Sequence, residues 1–189
     1  MLELRERLYA ELKEFIVNVG WTHKIHIVQS DKLMWWANAI KIVQILSSAI
    51  TASGLLAIVL GKGSFEFNVI IAIISFITLV ANGLDKAMDL RKLSTKEKQD
   101  ANNFWKLRES GKRLLSDVQF STDEIANVKT KFDELIELRN QYNDELLNVP
   151  SRVVTKASKL LKERKDNDYS EDYQYFIPQN MMELKEDEK

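Results

Sequence analysis

The sequence predicts an all-α membrane protein: a two-helix transmembrane hairpin, with an N-terminal amphipathic helix before it and a C-terminal cytosolic helical bundle or coiled coil after it. Three observations carry that prediction. Two uncharged apolar runs, each near the length of a bilayer crossing, stand five residues apart. Elsewhere apolar residues recur at threes and fours between charged ones. Only two prolines and six glycines interrupt 189 residues. The 27 basic and 28 acidic side chains nearly cancel, without the strongly basic footprint of a nucleic-acid binder, so no nucleic-acid partner is expected. The lack of any cysteine excludes disulfides, thiolate zinc sites, iron–sulfur clusters and cysteine nucleophiles together.

Residues 1–32 form the first region. From Leu2 to Val19, Leu4, Leu8, Leu12, Phe15, Ile16 and Val19 fall at helical spacing, with Glu and Arg between them. Glu3, Glu6, Glu11 and Glu14 offset the three basic residues of this stretch, which favours packing on the C-terminal part over adsorption to lipid. The pair Gly20-Trp21 is expected to break the helix before the next one begins. This charged, amphipathic start does not have the form of a cleavable signal peptide.

Residues 33–84 form the hairpin. The first span, 42–61, has no ionisable group and at 1.5 Å per residue reaches roughly 30 Å, the thickness of a bilayer core. The second span, 67–84, follows the connector Lys62-Gly63-Ser64-Phe65-Glu66. Trp35 and Trp36 are placed to sit among headgroups. A hairpin buried inside a soluble bundle is the alternative, but it leaves too little protein to cover both runs. Lys24, Lys32 and Lys41 precede the first span, and Lys86, Arg91, Lys92, Lys96 and Lys98 follow the second, whereas the connector has only Lys62. The positive-inside bias therefore puts both termini in the cytoplasm.

Residues 85–164 form a cytosolic helical domain. The second span is expected to continue as a long helix from Asp85 to about Ser116, with a possible hinge in the polar stretch Ser94 to Asp100. Ser121-Thr122-Asp123-Glu124 has the form of a capping box that starts a new helix. Within that helix Ile125, Val128, Phe132, Leu135, Leu138, Tyr142 and Leu146 draw a seam, a candidate interface suited to an antiparallel return or to a coiled coil. Pro150 ends the element, and Ser151 to Arg164 can form one more short helix. Residues 165–189 are an acidic tail bearing Tyr169, Tyr173, Tyr175 and Phe176, either solvated or docked on the protein's own helices or a partner.

No catalytic motif is present: no glycine-rich phosphate loop, no H-E-x-x-H, no G-x-S-x-G. No enzyme activity and no cofactor are expected. His23 and His26 can share a helical face, but no further ligand spacing marks a metal site, and a surface or interfacial role is favoured. Acidic residues interleave with basic ones as on solvated faces. More informative are two polar stripes in the spans. Lys41, Gln44, Ser48 and Thr51 advance along the first helix, and Ser75, Thr78, Asn82 and Asp85 along the second. Polar side chains in hydrocarbon need partners, so both stripes should face protein or water. Taken alone, they read more readily as glue within the hairpin, helped by the small residues Ala49, Ala52, Ser53 and Gly54, than as the lining of a pore.

A Trp-Thr-His-Lys-Ile-His segment (Trp21 to His26), two closely spaced spans, a post-span helix with Phe104-Trp105, and Leu135 to Pro150 (LIELRNQYNDELLNVP) leading into a final helix together resemble the SLATT family. These are two-transmembrane effector domains associated with bacterial nucleotide-second-messenger defence systems. The resemblance implies an inner-membrane effector that homo-oligomerises and permeabilises the membrane, killing or arresting the cell when a companion sensor or nucleotide-generating protein signals. On that reading Gln44, Ser48 and Thr51 would line the path, with Ser75, Thr78 and Asn82 as alternates. The rival is a passive anchor or scaffold whose cytosolic helices recruit a partner, and a third reading is a soluble helical interaction domain.

Overall fold

The computed structural model describes residues 2–120 and 125–166, all of whose regular structure is helical: α1 (Leu2–Val59), α2 (Phe65–Met88), α3 (Leu90–Phe120), α4 (Ile125–Asp144) and α5 (Ser151–Lys162). The expected capping box at Ser121–Glu124 and the Tyr-rich tail lie outside the described residues. Two compact units result, residues 1–149 and residues 150 onward, and α5 belongs to the second.

The first unit is a long antiparallel hairpin joined by a third helix. α1 runs one way for 58 residues, about 87 Å at 1.5 Å per residue, and α2 and α3 return beside it. The pairings mark the register. Gly54 meets Ile71, Thr51 meets Ser75, and Gln44 meets Ala81. Beyond the apolar segment Asn38 meets Arg91, Ser30 meets Ser94, His26 meets Glu97 and His23 meets Ala101. At the far end Leu8, Leu12, Phe15 and Val19 of α1 are buried with Phe104, Leu107, Leu114 and Val118 of α3 and Val128 and Phe132 of α4. Phe15 and Phe132 pack edge to face at 5.5 Å. The helical seam of α4 thus closes a three-helix core, with Ile125, Leu135, Leu138, Tyr142 and Leu146 partly buried around it.

The expected break at Gly20-Trp21 does not occur: α1 passes through both residues. A lone glycine costs a helix only about 1 kcal/mol, which the packing on either side outweighs. Gly20 is buried, and a Cβ there would stand 3.6 Å from the Arg108 side chain.

The return leg is interrupted where continuity was expected. α2 ends at Met88 because Asp89 adopts the left-handed conformation, φ 40° and ψ 51°. This residue serves both helices. Its N–H donates to the Asp85 carbonyl at 3.2 Å, and its Oδ1 accepts from the Lys92 N–H at 3.3 Å, capping the first turn of α3. Asp tolerates this conformation better than most residues. The stretch Ser94 to Asp100, expected to hinge, is unbroken helix, with Ser94, Glu97 and Asp100 all buried. α4 also stops before Pro150, at Asp144, and Pro150 instead stands at the N-cap of α5.

The ends of the hairpin differ in what they expose. From Ile42 to Leu84 most large apolar side chains are open, Leu79 at 67%, Phe76 at 64% and Leu56 at 61%. Such a continuous exposed apolar surface is not the core of a soluble bundle. Both helices are long and apolar enough to cross a membrane.

In the second unit, α5 is amphipathic. Val153 and Ala157 are buried, and Arg152, Lys156, Lys159 and Lys162 are exposed.

Candidate functional site

The inner face of α1 changes character along its length. Near the N-terminus it is aliphatic and aromatic, in the middle it carries His26, Gln29 and Ser30, and in the apolar segment it presents Ala37, Gln44, Ser47 and Gly54. The last group brings α1 and α2 close. A Cβ on Gly54 would lie 2.3 Å from Ile71 Cδ1, so any larger residue there requires the Ile71 side chain to move. Gln44 Nε2 donates to the Ala81 carbonyl at 3.1 Å. The Ser75 hydroxyl stands 3.3 Å from Thr51 Oγ1 and 2.8 Å from the Ile71 carbonyl. Thr78 returns its hydroxyl to the Ile74 carbonyl of its own helix, and Ser47 to that of Val43. The Ser47 side chain was not singled out from sequence, yet it is buried where its neighbour Ser48 is exposed.

The two stripes therefore divide. Gln44, Thr51, Ser75 and Thr78 lie in or beside the seam between the helices, with Asp85 half-buried at its end. Lys41, Ser48 and Asn82 are exposed. Lys41 and Ser48, seven residues apart, share one edge of α1. The opposite edge of the hairpin carries an apolar groove of about 360 Å³, lined by Trp36, Val43, Phe76, Ile77 and Val80 among others. One flank of the hairpin thus suits acyl chains, whereas the other carries a hydroxyl and a carboxamide within the apolar segments and the Lys41 ammonium at their edge. Trp35 and Trp36, edge to face at 4.8 Å, are exposed at the end of the apolar segment.

Beyond the apolar segment lies a buried polar layer between α1 and α3. His26 Nδ1 is 2.5 Å from Glu97 Oε2, with side chains 5% and 1% exposed. Ser30 and Ser94 each donate a hydroxyl to the other's backbone carbonyl, both at 2.9 Å. Asp100 accepts from Lys96 Nζ at 2.8 Å. Acidic residues expected on solvated faces thus lie inside at positions 97 and 100, Glu97 partnered by His26 of α1 and Asp100 by Lys96 of its own helix. Among the described residues, Gln29 Oε1 and Arg108 Nη1 are buried and find no hydrogen-bond partner. The Arg108 guanidinium lies 5.0 Å from the Trp105 ring centre, and Trp105 also packs on His23 at 5.3 Å.

His23 donates its Nδ1–H to the Ala101 carbonyl at 2.9 Å, a bond that fixes its tautomer, since a carbonyl can only accept. Burial pushes the His23 pKa below its ordinary value, and the positive charges of Arg108 and Lys24 push the same way against that bond. Both histidines are therefore interfacial, bonded across α1 and α3. Among the described residues no group of three His, Cys, Asp or Glu side chains is arranged to hold a metal ion.

Of these residues, Ser30, Gln29 and Asp89 went unmarked in the sequence, and Ser94 and Glu97 were read only as part of a hinge. The signal was available for the two on α1: continuing the seam of Leu8, Leu12, Phe15 and Val19 through Gly20 at threes and fours reaches His26 and Ser30 or Gln29.

No match was found among curated proteins or solved structures. The family model described as "SMODS and SLOG-associating 2TM effector domain family 4" matches residues 8–172.

Proposed function

Because this chain belongs to the SMODS- and SLOG-associating 2TM effector (SLATT) family, whose members are helical membrane-type effector domains associated with conflict systems, we propose that it is an inner-membrane effector that self-associates and permeabilises the bilayer. Both termini lie in the cytoplasm in this reading, and a separate sensor, of the SMODS or SLOG kind that the family description names, supplies the trigger. The observation that carries it is the exposure of Ser48 and Asn82 within the apolar segments of α1 and α2, with Lys41 at their edge. A carboxamide or hydroxyl facing hydrocarbon needs a partner, and a second copy of the same hairpin supplies one. Ser48 and Asn82 would then line the shared path. Gln44, Thr51, Ser75 and Thr78 hold each hairpin together, and join the lining only where hairpins part.

The test is membrane potential, followed with a voltage-sensitive dye in bacteria expressing the chain at rising levels, with insertion verified in the same cells. The expected result is loss of potential with the native chain and retention with Ser48→Leu plus Asn82→Leu. Equal depolarisation by both would remove this flank from the path.

A second reading, a passive anchor, draws support from the Gln44–Ala81 and Thr51–Ser75 pairings, which leave the seam satisfied within one chain. It requires that a foreign two-span hairpin replace residues 33–84 without loss of function.

A further inference from the structure

From the groove at the Trp36 end of the hairpin we infer a binding site for one anionic phospholipid, with an acyl chain lying between α1 and α2 and the phosphate at Lys32. The groove encloses about 360 Å³. Buried Ala81 and half-buried Ala39 and Ile40 line its least exposed part, and Trp36, Val43 and Phe76 stand exposed beside them. The Trp36 indole N–H is the one polar side-chain group in this lining, so the occupant is hydrocarbon. α1 and α2 touch at the groove's floor, where the Ala81 carbonyl accepts from Gln44 at 3.1 Å. A second helix, about 10 Å across with its side chains, therefore rests on the rims of this crevice, whereas a polymethylene chain enters it.

Length and charge point to the same occupant. Trp36 to Val43 is about 10 Å along α1 and Phe76 to Leu84 about 12 Å along α2, against roughly 15 Å for half a bilayer core, so the groove stays within one leaflet. Lys32 stands four residues before Trp36, on the same edge of α1, and is exposed. An ammonium one turn outside an interfacial indole lies at the level of the phosphate of a lipid whose chain fills the groove. Asp31, its exposed neighbour in sequence, faces about 100° away round the helix. Arg91, the base that α3 brings to this level, donates to Asn38 at 2.9 Å, on the far side of α1 from Trp36. One ammonium favours an anionic over a zwitterionic headgroup by about fivefold, and salt weakens the preference. This inference rests on the membrane-inserted part of the proposed function and not on permeabilisation.

The experiment reconstitutes the full-length chain in phosphatidylcholine vesicles with a trace of phosphatidylglycerol carrying a diazirine in its acyl chain, with insertion checked by alkaline extraction. After irradiation, peptide mapping is expected to find the label between Trp36 and Val43 rather than around Ser48. Replacing half of the phosphatidylcholine with unlabelled phosphatidylglycerol should cut the label about threefold, as a fivefold preference requires. In Lys32→Gln that replacement should leave the label unchanged. Ala39→Phe, which fills the groove, should remove the label from it, and Lys41→Gln, on the other edge of α1, should behave as the native chain. Label spread evenly over both flanks, no response of the native chain to phosphatidylglycerol, or a full label on inserted Ala39→Phe overturns the assignment. So does a groove that takes label only when the chains are diluted in lipid, which would give it to a second copy. Failure to insert overturns the membrane reading itself and is read out separately by the extraction.

Discussion

His26 on α1 and Glu97 on α3 are hydrogen-bonded in the interior of the hairpin, far in sequence and nearly closed to solvent. A buried ionisable pair is costly to assemble and more costly to halve, since removing one partner leaves the other unsolvated and unpaired. Glu97→Ala is expected to destabilise the α1–α3 contact by about 3–5 kcal/mol. Replacing both residues with Leu should be far milder. Thermal unfolding in detergent, followed by circular dichroism at the helical band, compares the two. Equal losses would show that the pair acts only as volume.

Asp89 makes a second prediction, because two features of one residue are separable there. Gly accepts the left-handed backbone without penalty but removes the cap on Lys92, whereas Val retains neither. Asp89→Gly is expected to cost well under 1 kcal/mol and Asp89→Val about 2–3 kcal/mol, the sum of the backbone and cap contributions. Asp89→Asn should be close to neutral. A ranking with Gly below Val in stability would mean that this junction does not hold its left-handed turn.

Gly54 sets the closeness of α1 and α2 through Ile71. Thr51→Cys with Ser75→Cys should cross-link readily on mild oxidation, since the native oxygens are 3.3 Å apart and there is no competing thiol. Adding Gly54→Leu is expected to abolish the cross-link while both spans remain inserted. Gel mobility under non-reducing conditions reads the outcome directly, and an undiminished cross-link would place the helix contact elsewhere.

The depressed pKa of His23 gives the bundle a pH dependence of known sign. Its ordinary value is 6.5, and in the folded chain it lies lower. Above that ordinary value neither state carries the charge and the stability contribution is intact. As pH falls below 6.5 the unfolded state takes up the proton first, so stability declines until the folded-state pKa is passed. His23→Asn, whose amide can reach the Ala101 carbonyl, should flatten this part of the profile. Melting temperature followed from pH 8 downward, on the order of half-unit steps, decides the matter; parallel profiles for the two proteins would exclude His23 as the source.

The apolar spans, the two-helix hairpin and the seam of α4 were legible because each is a pattern of long runs or strict spacing, and such patterns survive averaging over many residues. What escaped was decided by single residues in tertiary context. Gly20 looks like a breaker until α3 lies beside it, and Asp89 looks like one more exposed acid until its backbone is seen turning through the left-handed region. Glu97 reads as solvated because nothing local announces that His26, 71 residues earlier, will face it. The stripes were visible as residues at helical spacing. Their division into Gln44 and Thr51 inside and Ser48 and Asn82 outside depends on the direction in which each helix presents its edge, which spacing alone leaves open.

The two legs of the hairpin differ mechanically. The outgoing leg is one unbroken helix from Leu2 to Val59, which joins the buried cluster around Leu8 and Leu12 to the seam at Gln44 and Thr51. The returning leg is divided at Asp89, where two helices meet through one residue. A load applied at the Leu8 end therefore has a route to the apolar segment along α1 that does not cross the Asp89 junction.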